Sequence, residues 1–270
     1  MSCDVQIVED SVNPYNGVRL TTMRLRYWRG FHQEFLTHRV MSRNASSSRA
    51  IPISKIIKQV WNDPAGPTHW GKNQAGMKAS EELTGWRRMF TKGIWRLSSR
   101  IMCSIVWLVD KVAKPHKQTF NRLLEPWQYI TVIVSATEWD NFFSLRDHPD
   151  AQPEIRELAM KMKSAMKYSI PQEREYHLPY ITNEERGKYR LDTCMKLSSA
   201  RCARVSYLTH DGKTPSFDKD MELYIRLVGS VPIHASPTEH PSKAVDTENY
   251  IKNFCGWEQH RVTVEKTIKG

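Results

Sequence analysis

The residues that could most readily do chemistry lie between positions 38 and 49. These twelve residues include three arginines, one histidine, one asparagine and four serines. Guanidinium groups bind phosphate oxygens as planar cations and serine hydroxyls donate to them, so the composition favours a site for a phosphorylated ligand. A solvated basic loop has the same composition, and composition alone does not separate the two interpretations.

Other familiar catalytic motifs are missing from the sequence. There is no Gly-x-Ser-x-Gly elbow, no His-Glu-x-x-His zinc motif and no Gly-x-Gly-x-x-Gly turn. The 71–78 segment has the glycine spacing of a phosphate loop, but Met77 and Lys78 stand where that loop needs Lys and Ser or Thr. Five cysteines without a Cys-x-x-Cys pair indicate neither a disulfide framework nor a zinc site, so we expect no metal.

The charge balance points to anionic ligands. Forty Lys and Arg against 29 Asp and Glu give a net charge of +11, which attracts nucleic acid, membrane headgroups or phosphorylated small molecules. The 270 residues are 40% hydrophobic, typical of a globular chain, and the longest apolar run, 101–109, is too short to span a bilayer. The start of the chain shows no secretion signal, so we expect a cytoplasmic location.

Two stretches predict the strands of a central sheet. Residues 18–28 alternate, with Met23, Leu25 and Tyr27 on one side, and residues 129–136 form a β-branched run typical of a strand buried on both faces. Helical spacing predicts helices over 30–41, 54–62, 79–113, 138–146, 153–168, 192–204 and 218–228.

The remaining segments predict loops. We expect a loop over 42–49, a loop or lid over 63–76 and an irregular tail after 228. In the 79–113 helix, glycines 85 and 93 are expected to interrupt the helix, and its Trp and Met residues are expected in the core. We expect a single domain over 1–270, with the polar 171–190 segment as the best internal boundary.

The order of the residues from His38 to Arg49 separates the two interpretations of that stretch. It reads His-Arg-x-x-Ser-x-Asn-x-x-Ser-x-Arg. This closely resembles the defining motif of the flavin-dependent thymidylate synthases, usually written Arg-His-Arg-x-x-Ser-x-Asn-x-x-Ser-x-Arg.

Two further segments resemble the same family. Residues 141–146 followed by 150–155 resemble Asn-Phe-x-x-Leu-Arg and then Ala-Gln-x-Glu-Ile. Residues 203–207 (Ala-Arg-Val-Ser-Tyr) and then 234–240 resemble the segment that ends in His-x-Ser/Thr-Pro-x-Glu-His. Three matches distributed over most of the chain make chance similarity a poor explanation.

The resemblance implies an α+β fold, a mixed domain with a central, mostly antiparallel sheet flanked by helices. It implies a homotetramer with active sites shared between subunits and one FAD in each. The implied reaction methylates dUMP to dTMP with 5,10-methylenetetrahydrofolate as carbon donor, FAD as hydride carrier and NADPH as reductant. These ligands are all anionic, so the positive charge needs no nucleic acid to explain it.

The family's functional positions carry over residue by residue. By this resemblance Arg146 contacts the nucleotide, orients its pyrimidine and is the catalytic residue. The dUMP-binding residues would be Ser47, Arg49, Arg122, Arg146 and Glu34. The FAD-binding residues would be His38, Arg39, Asn44, Asn141, Leu145, His234, Ser236 and Glu239. Ordinary alternatives are a surface charge for Arg122 and a structural loop for the 234–240 segment.

The chemistry of uracil agrees with this set. Carbon 5 is a poor nucleophile, so an enzyme either adds a thiolate at carbon 6 or lets another carrier bring the carbon. None of the five cysteines has the Pro-Cys-His setting of the thiolate route. A reduced flavin can accept the one-carbon unit and supply hydride while the protein orients and polarises. Ser47 is then a hydrogen-bond donor, since no base in the motif activates it.

Six positions depart from the family pattern. They are Thr37 for Arg, Ala45 for Glu, Glu34 for Gln, Asp150 for His, Ser135 for Asn and Thr137 for Arg. Two of them, Ala45 and Glu34, motivate a second hypothesis, in which another one-carbon group such as hydroxymethyl is transferred or another pyrimidine nucleotide is used. A third hypothesis, from a different class, is a basic nucleic-acid-binding protein.

The order of the segments also differs. In relatives the His-x-Ser/Thr-Pro-x-Glu-His segment precedes the arginine-rich motif, whereas here it follows it, and His260-Arg261 resembles a degenerate second copy of that motif. Such permuted members resemble phage-encoded versions, which implies a bacterial or phage-infected host cytoplasm. Permutation requires neighbouring termini, so residues 1–30 and 230–270 should be in contact, within or between subunits.

Overall fold

The computed structural model describes residues 3–76, 79–205 and 215–269. The strands within them are β1 Asp4–Val12, β2 Arg19–Trp28, β3 Ser42–Ala45, β4 Tyr129–Ala136, β5 Gln172–Glu173, β6 Tyr176–His177, β7 Ser242–Ala244, β8 Tyr250–Ile251, β9 Phe254–Cys255 and β10 Trp257–Gln259. The helices are α1 His32–Leu36, α2 Ile53–Asn62, α3 Gly85–Val112, α4 Lys117–Phe120, α5 Asp140–Arg146, α6 Pro153–Tyr168, α7 Asn183–Lys188, α8 Leu191–Ala203, α9 Phe217–Val228 and α10 His260–Lys269. Short 3-10 segments cover Arg29–Phe31, Asn121–Trp127 and Ser236–Glu239.

A five-stranded sheet forms the centre of the fold, in the order β3-β4-β2-β1-β5. Its pairs are antiparallel except for β1 with β5. The predicted strands over 18–28 and 129–136 are β2 and β4, and residues Thr21–Trp28 of β2 pair with the whole of β4. The predicted mixed fold with a mostly antiparallel central sheet is confirmed.

The two faces of this sheet are covered differently. On one face Met23 and Leu25 pack with Phe142 of α5 and with Ile155 and Leu158 of α6 in the largest apolar cluster. The opposite face meets α8, the Ser236–Glu239 segment and the three-stranded sheet β10-β7-β6. This second face carries more polar side chains, and the motif residues of β3 lie on it or at its edge.

A second apolar cluster joins α2, α3 and the Asn121–Trp127 segment. Ile56 and Val60 of α2 pack against Cys103 and Val106 of α3, with Leu124 beside them. The loop after β3 is attached to the same cluster, because the Asn121 side-chain amide donates to two of its backbone carbonyls at 2.7 and 2.8 Å. We call residues 46–62 and 85–127 the helical unit.

Helix α3 corrects two predictions. It starts at Gly85, which has a positive φ of +55°, but runs unbroken through Gly93 because one glycine costs a helix only about 1 kcal/mol. The expected burial of its Trp and Met residues is wrong for Trp86, Met89 and Trp107, which are 69%, 72% and 53% exposed. Periodicity shows that a face is apolar but not what covers it, and α3 is apolar on two sides.

The side of α3 that faces away from α2 and the Asn121–Trp127 segment is apolar along its whole length. We call its eight large apolar residues the outer face, and each is 45–78% exposed. They are Trp86, Phe90, Ile94, Leu97, Ile101, Ile105, Leu108 and Val112. Their positions repeat every eleven residues, a period that keeps such a stripe nearly straight along a helix.

Three further predictions need correction. The loop expected over 42–49 begins as strand β3, because residues with weak strand preference can still pair at the edge of a sheet with a strong neighbour such as β4. The helix expected over 30–41 is a 3-10 turn followed by only five α-helical residues. The tail after 228 is not irregular, since it forms strands β7–β10 and helix α10.

The two ends of the chain are in contact, as the permuted segment order predicts. The Asn13 side-chain amide donates to the carbonyls of Val245 and Gly256. Leu20 is fully buried against Phe254 and Trp257. The contact therefore forms within one chain. Over the described ranges, no helix has the length and apolar character needed to cross a membrane.

Candidate functional site

Arg146 joins the first and second motif segments. It ends helix α5, and its Nε–H donates to Nε2 of His38 at 2.9 Å. Its Nη2 donates to Thr37 Oγ1 at 3.2 Å, and its Nη1 lies 3.7 Å from the Glu34 carboxylate. Because 108 positions separate Arg146 from His38, only the folded chain brings the two motifs together.

His38 is neutral in this arrangement. Burial lowers its pKa, and the charges of Arg146 and Arg43 lower it further. Since Nε2 accepts a hydrogen bond from Arg146, the neutral ring carries its own proton on Nδ1. The ring meets Phe142 edge to face, with 4.9 Å between the ring centroids. This packing fixes the imidazole and, through it, the orientation of the guanidinium group.

A cavity of about 480 Å³ opens beside this pair, which we call the Asn141 cavity. Its lining residues are Thr37, His38, Arg39, Val40, Glu138, Asp140, Asn141, Phe142, Leu145 and Arg146. Val40 and Leu145 give it apolar walls that are 44% and 53% exposed, while Arg39 and Asn141 offer a cation and an amide. That donor set fits a flat, partly apolar ring system with an anionic tail, as in a flavin nucleotide.

Arg146 also lines a second cavity of about 620 Å³, the Glu154 cavity. Its lining residues are Trp28, Glu34, Pro67, His69, Gly71, Ala79, Arg146, Asp150, Ala151, Gln152, Pro153 and Glu154. The buried carboxylate of Glu154 accepts the backbone N–H groups of Thr68 and His69 at 2.8 and 3.2 Å. Glu154 thereby holds the 63–76 loop as a wall of this cavity.

The first and third motif segments also meet. Ser236 Oγ donates to Asn44 Oδ1 at 2.9 Å across a sequence separation of 192 residues. The Asn44 amide in turn donates to the carbonyl of Cys202 at the end of α8. Glu239 forms an ion pair with Arg261, which also pairs with Glu265. His234 is exposed, and its backbone N–H donates to Leu227.

The other residues predicted to bind dUMP, Ser47, Arg49 and Arg122, do not contact Arg146. Ser47, Arg49 and Arg122 are exposed on the helical unit, near one another because Asn121 binds the loop that carries Ser47 and Arg49. Strand β3 separates them from Arg146. Its four residues span about 10 Å at roughly 3.3 Å each, with the Arg146 cluster beyond the Ser42 end and Ser47 beyond the other.

The departures from the family pattern have structural roles. Thr37 accepts a hydrogen bond from Arg146, and Thr137 Oγ1 accepts the backbone N–H of Cys255. Ser135 is fully buried and is hydrogen-bonded to Thr22 and His240. Asp150 lines the Glu154 cavity, and Ala45 is exposed.

Sequence reasoning missed the residues that complete the second cavity. It assigned no role to Trp28, His69 or Glu154, nor to Arg261 as the partner of Glu239. Glu154 could have been found, because it is the acidic residue of the Ala-Gln-x-Glu-Ile segment. Trp28 and His69 belong to no motif: Trp28 ends strand β2, and only the course of the 63–76 loop brings His69 to the cavity.

A comparison with known families supports the resemblance. The family model described as thymidylate synthase complementing protein matches residues 126–172, the part of the chain that holds α5 and the Ala-Gln-x-Glu-Ile segment. The resemblance predicted from the motifs is thus confirmed there. The Ser206-Tyr207 part of the third segment, like Met77 and Lys78 of the apparent phosphate loop, lies outside the described residues.

Solved structures share parts of this fold at low identity. One is thymidylate synthase X from Helicobacter pylori with FAD and dUMP, at 13% identity over 54% of this chain and 67% of that chain, with a TM-score of 0.39. Another is the UMP/dUMP methylase PolB from Streptomyces cacaoi bound with 5-Br UMP, at 14% identity over 62% and 89%, with a TM-score of 0.47. Likenesses of this size assign neither a substrate nor residue roles. No curated protein sequence matches the chain.

Proposed function

We propose that this protein methylates dUMP to dTMP, with FAD as hydride carrier, 5,10-methylenetetrahydrofolate as carbon donor and NADPH as reductant. The proposal is carried by the direct contact of three distant motif segments, Arg146 with His38 and Asn44 with Ser236. Their pattern in the sequence could arise by chance, but unrelated segments have no reason to meet in the fold. We also propose a cytoplasmic location, in a bacterium or a phage-infected host, because permuted members of the family resemble phage-encoded versions.

Arg146 is the residue on which the chemistry depends. It lies where the Asn141 and Glu154 cavities meet, and its guanidinium group is held by Thr37, His38 and the Glu34 carboxylate. A permanent planar cation fixed in this way stabilises negative charge that develops on a pyrimidine carbonyl. Its position between the cavities lets it contact a uracil ring stacked beside the coenzyme.

The Asn141 cavity would hold the flavin. His38, Arg39, Asn141 and Leu145 line it, and Asn44, His234, Ser236 and Glu239 would add contacts from the third segment, here or from a neighbouring subunit. A bound flavin supplies hydride and accepts the one-carbon unit. The protein's part is to orient the ring and exclude water, for which the apolar walls formed by Val40 and Leu145 are suited.

The cysteines favour a route without a protein thiolate. Burial raises the pKa of Cys103 to about 11, raises that of Cys202 further, and also raises those of Cys194 and Cys255. These thiols are therefore protonated at neutral pH, and a protonated thiol is a poor nucleophile for carbon 6 of uracil.

The proposal includes assembly with further copies of the chain, as a homotetramer. The outer face exposes on the order of 900 Å² of apolar side chain, more than the largest patch of a typical monomer and close to the roughly 800 Å² that each partner contributes to a standard interface. The same helical unit carries Ser47, Arg49 and Arg122 away from Arg146. The proposed shared site requires that a second copy covering α3 bring its own Arg146 to these residues.

Three observations test the proposal together. Purified protein should be yellow, and dUMP should accelerate its oxidation of NADPH. With methylenetetrahydrofolate present, the nucleotide product should be heavier than dUMP by one CH₂ group. A colourless protein that still turns over dUMP would contradict the role of the flavin.

A second candidate keeps the fold and the flavin but changes the group or the nucleotide. The observation behind it is the Glu34 carboxylate, 3.7 Å from Arg146 where relatives have an uncharged Gln, together with the exposed Ala45. Product mass decides, because a hydroxymethyl product contains one more oxygen than a methyl product. Steeply salt-dependent DNA binding by flavin-free protein would instead favour the nucleic-acid hypothesis.

A further inference from the structure

Five buried polar side chains lie end to end beneath the second face of the central sheet. Ser11 Oγ is 2.8 Å from Nδ1 of His177, whose Nε2 is 2.7 Å from Thr22 Oγ1. Thr22 Oγ1 is 2.5 Å from Ser135 Oγ, which is 2.8 Å from Nδ1 of His240. All five residues have no exposed surface. We call Ser11, His177, Thr22, Ser135 and His240 the polar line.

The pairing of the strands holds the polar line together. Thr22 on β2 is the direct cross-strand partner of Ser135 on β4 and, on its other side, of Glu9 on β1. Direct partners place their side chains on the same face of a sheet, so these groups form a row across the strands. His177 on β6 and His240 just before β7 cover the row and bridge its hydroxyl groups.

Every member of the polar line can both donate and accept a proton. A hydroxyl has one proton and two lone pairs, and a neutral imidazole has one donor and one acceptor nitrogen. Burial lowers the pKa of His177 far below its ordinary value and that of His240 to about 3, so both rings are neutral. A neutral ring can take a proton on one nitrogen and release its own from the other without storing charge.

One end of the polar line reaches water. Ser11 lies two residues from Glu9 along β1, on the same face of the strand, and the Glu9 side chain is 15% exposed. Burial raises the pKa of Glu9 to about 6 although Arg186 and Arg174 face it and act in the opposite direction. A carboxyl group with that pKa exchanges protons readily near neutral pH.

The other end is enclosed. Nε2 of His240 is buried and has no hydrogen-bond partner among the described residues. Such an unpaired buried nitrogen is costly unless a ligand or water satisfies it. His240 closes the segment that contains Ser236 and Glu239, so the unpaired nitrogen belongs to the segment proposed to contact the coenzyme.

We propose that the polar line is a proton path from Glu9 to Nε2 of His240, serving a ligand held against the 234–240 segment. The inference deepens the proposed function and depends on it, because the reaction of dUMP, methylenetetrahydrofolate, NADPH and H⁺ to dTMP, tetrahydrofolate and NADP⁺ takes up one proton in each turnover. The polar line gives that proton a route through a closed interior.

The transfer balances atom by atom. Protonated Glu9 gives its proton to Ser11, each following member passes on its own proton, and His240 releases the proton of Nε2 to the ligand. Glu9 is left as a carboxylate, and both imidazoles are left as the other tautomer. Glu9 then takes a proton from water, and the polar line resets when its hydroxyls and imidazole rings reorient.

The test removes the hydroxyl group at the centre of the polar line while keeping the shape of the side chain. Thr22→Val breaks the polar line, Thr22→Ser keeps the hydroxyl, and Thr21→Val is the matched control, since Thr21 Oγ1 donates to Asp10 on the other face. In protein labelled with ¹⁵N histidine, Thr22→Val should shift the Nδ1 and Nε2 signals of His240, two links away. Thr22→Ser and Thr21→Val should leave them close to wild type.

A kinetic measurement separates a proton path from a structural network. Thr22→Val should keep its bound flavin but lose about tenfold or more in dUMP-dependent turnover, with a larger solvent deuterium effect, because proton delivery becomes limiting. Thr22→Ser should restore most of the rate. If Thr22→Val does not fold, Ser135→Ala makes the same break.

Two results would overturn the proton path. One is a Thr22→Val protein with the turnover, isotope effect and His240 signals of wild type. The other is a Thr21→Val protein that loses as much turnover as Thr22→Val, which would show that any lost buried hydrogen bond has this effect. Failure of the proposed function is distinct, because the wild type would then bind no flavin while Thr22→Val still shifted the His240 signals.

Discussion

The two ends of strand β3 differ in how complete they are within one chain. At one end Arg146, His38 and Thr37 are in direct contact, and Asn44 on the strand itself meets Ser236. At the other end Ser47 and Arg49 are exposed on the helical unit, next to a long helix with an uncovered apolar face. The first end satisfies its polar groups internally, whereas the second offers both cations and apolar surface to something outside the chain.

The difference shows that burial depends on partners more than on residue type. Serine, threonine and histidine are fully buried in the polar line because each has hydrogen-bond partners there. Isoleucine and leucine remain exposed on α3 because no other element of the described chain covers them. We interpret the complete end as a site that one chain forms and the incomplete end as a surface that a second copy completes.

The largest effect is expected from breaking the complete end. Arg146→Ala should lower dUMP-dependent turnover by at least about a hundredfold while flavin stays bound, because the cation proposed to stabilise the pyrimidine is lost. Arg146→Lys keeps the charge but loses the planar arrangement of donors, so its turnover should lie between those of wild type and Arg146→Ala. Steady-state kinetics and flavin absorbance measure both quantities, and wild-type rates in Arg146→Ala would contradict the role of this residue.

Mixing two inactive variants tests whether the incomplete end serves a neighbour. Arg49→Ala and Arg146→Ala subunits, dissociated and reassembled in equal amounts, should recover about one quarter of wild-type activity, since a shared site draws one arginine from each of two subunits. Each variant taken alone through the same procedure is the control. No recovery despite proven exchange of subunits would mean that both arginines act within one chain or in separate places.

The outer face of α3 can be broken directly. Ile101→Glu should dissociate the assembly, because a carboxylate in an apolar interface loses its hydration, while the separate chain should stay folded since Ile101 is already 53% exposed. Arg96→Glu adds the same group to the same helix about 140° away and should leave the assembly intact. Light scattering with size-exclusion chromatography gives the mass, and an Ile101→Glu protein of unchanged mass would refute this interface.

Acid should destabilise the folded protein through its buried histidines. This effect is expected to be smaller than those of the substitutions above. Burial lowers the folded-state pKa of His260 to about 4 and of His240 to about 3, so the unfolded chain, with a pKa near 6.5, takes up protons first as the pH falls. The free energy of unfolding should therefore decrease from about pH 6.5 downward, by roughly 1–2 kcal/mol for each such histidine near pH 5. The raised pKa of Glu9 acts in the opposite direction and offsets part of this loss.

Chemical denaturation between pH 7 and 5 measures this slope. His260→Gln should flatten it, because one buried neutral imidazole is removed, whereas His148→Gln, at an exposed position, should not change it. A free energy of unfolding that increases as the pH falls from 7 to 5 would contradict the neutral state of these rings.

The smallest effect concerns the helix itself. Gly93→Ala should stabilise the protein by roughly 0.5–1 kcal/mol, because Gly93 lies inside α3 and an added Cβ meets no atom within 4 Å. Gly85→Ala should destabilise it instead, since Gly85 has a φ of +55°. Thermal unfolding compares the two, and a destabilised Gly93→Ala would mean that the helix is interrupted there.

The sequence predicted the parts of the fold that depend on local pattern. Alternation identified β2, the β-branched run identified β4, and permuted motifs predicted the contact between the ends of the chain. Strand β3 could not be predicted from its polar residues, because its strand state comes from pairing with β4. The exposure of α3 could not be predicted either, since an apolar stripe reads the same in a core and in an interface.

The candidate site was predictable to the extent that its residues belong to motifs. The contact of His38 with Arg146 agrees with the roles that the resemblance implies, although those roles remain predictions. Trp28 and His69 could not be found, because only the folded chain brings the end of β2 and the 63–76 loop together at the Glu154 cavity. The polar line was equally hidden, since its members come from five separate segments that share no spacing.

The convergence of the motif segments on one binding site is tested most directly by the absorbance spectrum of protein reconstituted with FAD and titrated with dUMP. A flavin beside the Arg146 cluster should bind at stoichiometric levels, and dUMP should shift its absorbance bands in wild type but not in Arg146→Ala. Protein that retains no flavin, or a flavin spectrum that ignores dUMP at every concentration, would contradict the account.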